Sequence, residues 1–316
     1  MGLRSSPAPD SPRPNLVLPA ILGLLCAGIV AAGYLYYDAQ RHSIRAQIAS
    51  QLSAVAHLKV QQIESWLGER TADAALLAAD PMVQAPASVQ SRHQVQNWLE
   101  SFREHCGYTE VSILNGGGAV LNSAAEYALP NDGATVQLAV RTARAGIAAM
   151  SDLHNVAYSA VIDFLAPVRT PGGAPTGAVV LLRADASGFL RDLVQAWPGE
   201  SPSAEALLVR REGDRVVYLN ELRFPDGAKS RFTLPPGPDL PAALDAQGRQ
   251  GIHYGFDYRG VAVVAALAQV PGTPWALVVK VDAEEVFAPL RQRSHTVGLI
   301  VGLLLAGCLT TFGLST

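Results

Sequence analysis

Apolar and polar positions change their period several times along this chain, and each change marks an element. Leu16 to Tyr37 (LVLPAILGLLCAGIVAAGYLYY) carries no charge over about 22 residues, the length of a helix crossing a hydrocarbon core of about 30 Å. Tyr34, Tyr36 and Tyr37 fall where an aromatic belt would sit. A second charge-free run of about 21 residues, Thr296 to Thr316, predicts another such helix. A cleaved signal peptide is the competing reading of the first run, with Ala31-Ala32-Gly33 as small residues after it, but the run is longer than a usual signal core. From Asp38 the pattern becomes one-faced: Ile44, Ile48, Leu52, Val55, Ile63, Trp66 and Leu67 recur at threes and fours with one gap near Lys59. This predicts a stalk helix over 38–80, ended by Asp80-Pro81 because the residue before proline is pushed out of the helical region. Its apolar face would pack on its own domain distally and, near the membrane, on the same helix of a second copy, giving a homodimer.

Beyond a second amphipathic segment from Val89 to His105, the period falls to two. Tyr108–Leu114 and Ala119–Ser123 flank Asn115-Gly116-Gly117-Gly118 as a hairpin. A helix from Ala134 to Ala145 and three strand-like runs follow (GIAAMSDL, AYSAVIDFLAPV, GAVVLLRAD), giving a five-stranded antiparallel sheet. The order apolar strand, Pro-Gly turn, apolar strand, basic residue, any residue, Asp, helix then occurs twice. Arg183-Ala184-Asp185 corresponds to Lys280-Val281-Asp282 and Phe189 to Phe287, a period of about 97 residues that predicts two copies of one unit. The second copy opens with EALLVRREGDRVVYLNELR and passes through a Pro- and Gly-crowded loop into VVAALAQVPGTPWALVVKVD. In the second copy Trp275 reads as core and Asp282 as a helix cap.

Composition changes this picture little. The chain has 316 residues, 49% hydrophobic and 16% charged, with the apolar bias at its two ends. A formal charge of −3 leaves no nucleic-acid footprint. Of the 3 cysteines, Cys26 and Cys308 lie in the apolar runs and Cys106 is alone between them, so no disulfide forms within that region. Arg4 and Arg13 in the Pro- and Ser-rich tail 1–15, Arg41 and Arg45 after the first run, and Arg291 and Arg293 before the second give no decisive charge bias. With both ends in the cytoplasm, residues 38–295 would be periplasmic or extracellular, in a two-pass membrane protein.

A membrane helix, a long stalk, two consecutive sheets with the repeated strand, turn, strand, basic-any-Asp, helix order, and a final helix entering the membrane together resemble the double Cache (tandem PAS-like) sensor region of bacterial receptors. The resemblance covers Asp38 to Ser294 and implies an α+β fold: a long N-terminal stalk helix plus two tandem PAS-like antiparallel-sheet modules, flanked by two transmembrane helices. On this reading 16–37 and 296–316 are the spans and 81–198 is a membrane-distal module that receives a small ligand. Residues 199–283 form a membrane-proximal module that relays it, and 284–295 a connecting helix. The implied output is a histidine kinase of a two-component system, a diguanylate cyclase or a chemotaxis domain, and the chain reads as a fragment of that longer receptor. A periplasmic protein-interaction or structural module is the alternative.

Amino-acid-binding Cache modules resemble one another in an Arg-x-x-Trp-Tyr group, a following Tyr-x-Asp and an aspartate ending the last strand. Asp185 occupies the last position, Ser151 to His154 falls near the second, and the first is absent, since Gln137 to Arg144 supplies Arg141 and Arg144 without a Trp-Tyr pair. Arg141 and Arg144, at i and i+3, share a helix face and could fork onto a carboxylate or phosphate, or simply be solvated. Asp152, His154, Tyr158 and Asp163 surround the next strands as the oriented polar groups a closed pocket needs, or as ordinary turn residues. Asp185 reads equally as the N-cap of the helix beginning near Ser187. The 7 scattered histidines form no metal spacing, and no Gly-rich phosphate loop, nucleophile elbow or zinc-peptidase motif occurs, so neither metal, cofactor nor catalysis is expected.

Overall fold

The computed structural model describes residues 17–84, 89–125, 132–156, 159–195, 197–213, 215–224, 233–234, 241–242, 248–288 and short stretches between 298 and 310. The chain divides into a unit of Ala49–Ala283 and a unit of Met1–Ile48 with Glu284–Thr316. Both sheets belong to the first of these.

Helix α1 runs unbroken over Val17–Ala78, 62 residues. Leu52, Ile63, Leu67 and Leu77 are buried along it, and the apparent gap in the stripe is itself buried: Lys59 is 3% exposed and donates from Nζ to the Leu193 carbonyl. The helix stops where proline requires. Asp80 Oδ1 accepts from Met82 N at 2.8 Å, capping the short α2, Pro81–Gln84.

The expectation that membrane-spanning helices flank the modules is corrected here: among the described residues, no helix is long and apolar enough to cross a membrane. Helix α1 carries the apolar run straight on into the polar stalk over Val17–Ala78, so no separate apolar helix stands there. The second expected span, 296–316, lies mostly outside the described residues.

After α3, Val89–Cys106, the first sheet is built from β1 (Glu110–Leu114), β2 (Val120–Ala125), β3 (Ala149–Met150), β4 (His154–Val156), β5 (Ser159–Arg169) and β6 (Pro175–Asp185). The spatial order is β2-β1-β6-β5-β3, with β4 also on β5. Between β2 and β3 lies α4, Gly133–Ala145, and after β6 comes α5, Ala186–Gln195. Of the run GIAAMSDL only Ala149–Met150 is strand; Ser151–Leu153 leaves the ladder before β4, and Ser151 and Asp152 bind distant partners there.

Alternation across the pleat sorts the side chains onto two faces. Val111, Leu182 and Phe164 are in register on one face, where Trp66 of α1 meets Phe164 edge-on at 5.9 Å and stacks on Phe189 at 4.5 Å. On the other face, Leu114, Val179, Leu181 and Leu165 pack with Leu138 and Ala139 of α4. Both faces are thus covered, which is why β6 reads as a continuous apolar run rather than an alternation.

The second sheet comprises β7 (Glu205–Glu212), β8 (Arg215–Tyr218), β9 (Thr233–Leu234), β10 (Gly251–Phe256), β11 (Ala262–Gln269) and β12 (Trp275–Asp282), in the order β10-β11-β12-β7-β8-β9. Leu207, Val209, Ala265, Leu267, Ala276 and Val278 form its core. Residues 283–288 are helical.

Candidate functional site

The polar heart of the first module lies under the N-terminal end of α4. Asp132 caps this helix, accepting from Thr135 N at 2.7 Å, and that bond holds the Asp132 carboxyl below the usual carboxylate range. The cap fixes the first turn, so Thr135, 1% exposed, points onto the sheet.

There Glu110, Arg183 and Asp163 stand opposite one another on β1, β6 and β5, all buried. The Arg183 guanidinium grips Asp163 with two nitrogens, Nε to Oδ1 at 2.7 Å and Nη2 to Oδ2 at 3.0 Å, and reaches Glu110 Oε2 with Nη1 at 2.6 Å. Thr135 Oγ1 donates to Asp163 Oδ2 at 2.7 Å, and Ser112 Oγ to Glu110 Oε1 at 2.7 Å. Burial pushes the Glu110 carboxyl up; Ser112 and Arg183 pull it down and Asp163 pushes it up again, and the balance stays above the ordinary value. Two buried carboxylates on one guanidinium are costly to desolvate, and the fork geometry and added hydroxyls offset that cost.

His154 completes the group. Its Nδ1 lies 3.1 Å from the Asp152 carbonyl and 3.3 Å from Ser151 Oγ. A carbonyl only accepts, so Nδ1 carries a proton, and Nε2 is an acceptor wherever it carries none. Nε2 is buried, 3.5 Å from Asp163 Oδ2, and has no hydrogen-bond partner among the described residues. An acceptor beside a carboxylate oxygen is a place for a donor carrying positive charge. The arrangement offers binding, with no activated nucleophile in it.

Of the residues singled out from the sequence, His154 and Asp163 come together here. Asp152 borders the site but turns its carboxylate away, accepting from Trp275 Nε1 at 2.7 Å and Arg210 Nη1 at 2.5 Å. Arg141 and Arg144 are exposed on α4, off the face that carries Thr135, Leu138 and Ala139. Asp185 is exposed and accepts from Ser187 N at 2.8 Å, as an N-cap does. Tyr158 lies outside the described residues. Sequence reasoning missed Arg183, Glu110 and Thr135. The signal for Arg183 was present, since a charge closing an apolar strand in both copies is a buried charge in want of a partner.

The second module repeats the row. Glu205 and Lys280 are cross-strand partners, with Lys280 Nζ 2.8 Å from Glu205 Oε2 and 2.6 Å from Asp257 Oδ2. Tyr258 donates its hydroxyl to Glu205 at 3.0 Å, and Arg259 binds Asp257 at 2.7 Å and also Asp282. Burial pushes the Asp257 carboxyl up, but Lys280 and Arg259 outweigh it and hold it below the ordinary value.

Residues 40–290 match the model of the Cache domain family. No curated protein sequence matches the chain. Among solved structures, the ligand-binding domain of the Pseudomonas fluorescens chemoreceptor CtaA in complex with L-isoleucine superposes with a TM-score of 0.53 at 14% identity, covering 79% of this chain and 98% of that one. That of the Campylobacter jejuni chemoreceptor Tlp3 in complex with 4-methylisoleucine gives 0.59 at 12% identity, covering 77% and 94%. That of the Pseudomonas aeruginosa PAO1 amino acid chemoreceptor PctC in complex with GABA gives 0.53 at 16% identity, covering 74% and 100%. At such identities the likeness is one of fold, and it agrees with the two sheets, the long helix and the family match: this chain belongs to the Cache domain family, in its double, two-module form.

Proposed function

We propose that the chain is the extracytoplasmic input region of a receptor, whose first module binds a small molecule bearing an ammonium group on the α4-covered face of its sheet. One observation carries this reading: the buried His154 Nε2, an acceptor with no partner among the described residues, beside the Asp163 carboxylate. An ammonium placed there donates to both. Glu110, Asp163 and Asp132 against Arg183 leave the surroundings net negative, which favours a cation. The fold relatives solved with L-isoleucine and with GABA make amino acids the first ligands to try.

The test is thermal unfolding of the purified full chain with L-isoleucine, L-leucine and γ-aminobutyrate, each beside its N-acetylated form. A ligand at about 100 times its Kd adds about 2.7 kcal/mol of stability, and the acetylated form, lacking the charge, adds none. His154→Ala abolishes the gain while leaving the unliganded melting temperature close to wild type. If His154→Ala is silent and Arg141→Ala or Arg144→Ala removes the gain, the site lies on the outer face of α4. If no amine or amino acid stabilises the chain, the reading fails.

A further inference from the structure

The loop that carries His154 also ties the two modules together. On one side it is fastened to Asp163: Ser151 N donates to the Asp163 carbonyl at 2.8 Å, Asp163 N donates to Ser151 Oγ at 2.9 Å, and His154 Nε2 faces the Asp163 carboxylate. On the other side Asp152 takes Trp275 Nε1 on Oδ1 and Arg210 Nη1 on Oδ2, and the Leu153 carbonyl accepts from the same Arg210 nitrogen at 3.3 Å. Trp275 and Arg210 are directly opposed partners on β12 and β7. A side chain of the first module therefore rests on a registered pair where two neighbouring strands of the second module meet it.

We propose that Asp152 is the coupling residue between the candidate ligand site and the second module. A displacement of His154 is carried through the Asp152 peptide, whose carbonyl faces His154 Nδ1, to Trp275 and Arg210, and so to β12. Trp275 is 1% exposed, and a buried indole N–H does not give up its acceptor without cost, so β12 follows Asp152 rather than releasing it. The Arg210 pair adds charge and a second direction of pull. The chain of contacts is short and continuous, and it joins an element a ligand can bias to a stiff strand. That a ligand supplies the displacement rests on the function proposed above; the mechanical tie does not.

The two are separable by experiment. With 5-fluorotryptophan in the full chain, the Trp275 fluorine resonance, assigned through Trp275→Phe, reports on β12, and Trp98 serves as the reference. His154→Ala shifts the Trp275 resonance and leaves Trp98 in place. The same change made in an Asp152→Ala background loses that shift. Should Asp152→Ala fold poorly, Asp152→Asn, which keeps an acceptor for the indole and removes the negative charge facing Arg210, retains a reduced shift. The proposal is overturned if Trp275 does not respond to His154→Ala, or responds equally without the Asp152 carboxylate. Added L-isoleucine that moves labelled His154 signals but not Trp275 also overturns it, while leaving ligand binding intact. Mutational coupling with no response to any amine or amino acid sustains the tie and removes the ligand reading.

Discussion

The two modules set the same kind of charged row into their sheets and complete it differently. In the first, Arg183 forks between Glu110 and Asp163, both strand residues in register with it. In the second, Lys280 faces Glu205 across the ladder but meets Ala265 on its other side, and its second carboxylate comes from Asp257 in the turn after β10. The planar fork needs two carboxylates at fixed angles, which flanking strands supply; a compact ammonium accepts them from wherever a turn brings one. A further difference is closure. Tyr258, Arg259 and the Arg223 backbone N–H fill the remaining positions around Glu205 and Asp257, whereas the first row ends beside His154 Nε2. One row is closed upon itself, and the other ends at a buried nitrogen with no hydrogen-bond partner among the described residues.

The most damaging way to break the comparison is to remove its central cations. Arg183→Met leaves Glu110 and Asp163 buried without the cation that grips them, and Lys280→Met leaves Glu205 so while Asp257 keeps Arg259; breaking a buried pair in this way costs about 3–5 kcal/mol. Denaturant unfolding of the full chain checks it. The symmetric exchange is more discriminating: Arg183→Lys loses the two-nitrogen grip on Asp163, while Lys280→Arg forces a larger group into a closed network. Each exchange destabilises less than its Met counterpart.

The repeat was legible because it is local: strand, Pro-Gly turn, strand and helix follow one another in sequence at both copies. The rows were not, because Glu110 and Arg183 are 73 positions apart and only the register of β1 against β6 brings them together. The strand expected through Ser151–Leu153 failed for the same reason, since Asp152 leaves the ladder to meet Trp275, 123 positions later. His154 and Asp163 were readable as polar residues amid apolar strands, but their partnership depends on a loop folding back onto β5. Arg141 and Arg144 share a face by spacing alone, and spacing does not say which face the sheet covers.

Acid separates the modules. Asp257 is held below the ordinary carboxylate range, so its contribution is full above the unfolded value of about 3.9 and is lost as pH falls through the lower folded value. Glu110 sits above its ordinary value of about 4.3, so its ionisation opposes folding as pH rises through that window and its protonation favours folding as pH falls. Hydrogen exchange between pH 5 and pH 3, corrected for its intrinsic pH dependence, should show peptides of β12 losing protection before those of β6. The reverse order would mean that the two rows do not govern their modules' stability.

The buried lysines sharpen the point about partners. Lys280 is met by two carboxylates, whereas Lys59 donates to the Leu193 carbonyl near the end of α5, and burial lowers its pKa from 10.5 to about 8. An unfolded lysine keeps its proton to about 10.4. Between about pH 8 and that value the unfolded chain binds more protons, so this group makes stability rise with pH. The difference in unfolding free energy between wild type and Lys59→Met therefore changes across that window and is flat below it.

The smallest effect lies at the aspartates that end β6 and β12, equivalent in the repeat and unequal in their partners. Asp185 is exposed and accepts a backbone N–H of α5, from Ser187, so Asp185→Ala removes a cap worth about 1 kcal/mol. Asp282 instead holds Arg259, the same guanidinium that binds Asp257. Asp282→Ala therefore loosens the closed row as well as the strand end, and it costs more than Asp185→Ala in the same denaturant titration. Equal costs would show that Arg259 is secured by Asp257 alone, and that the second row closes without the aspartate that marks its repeat.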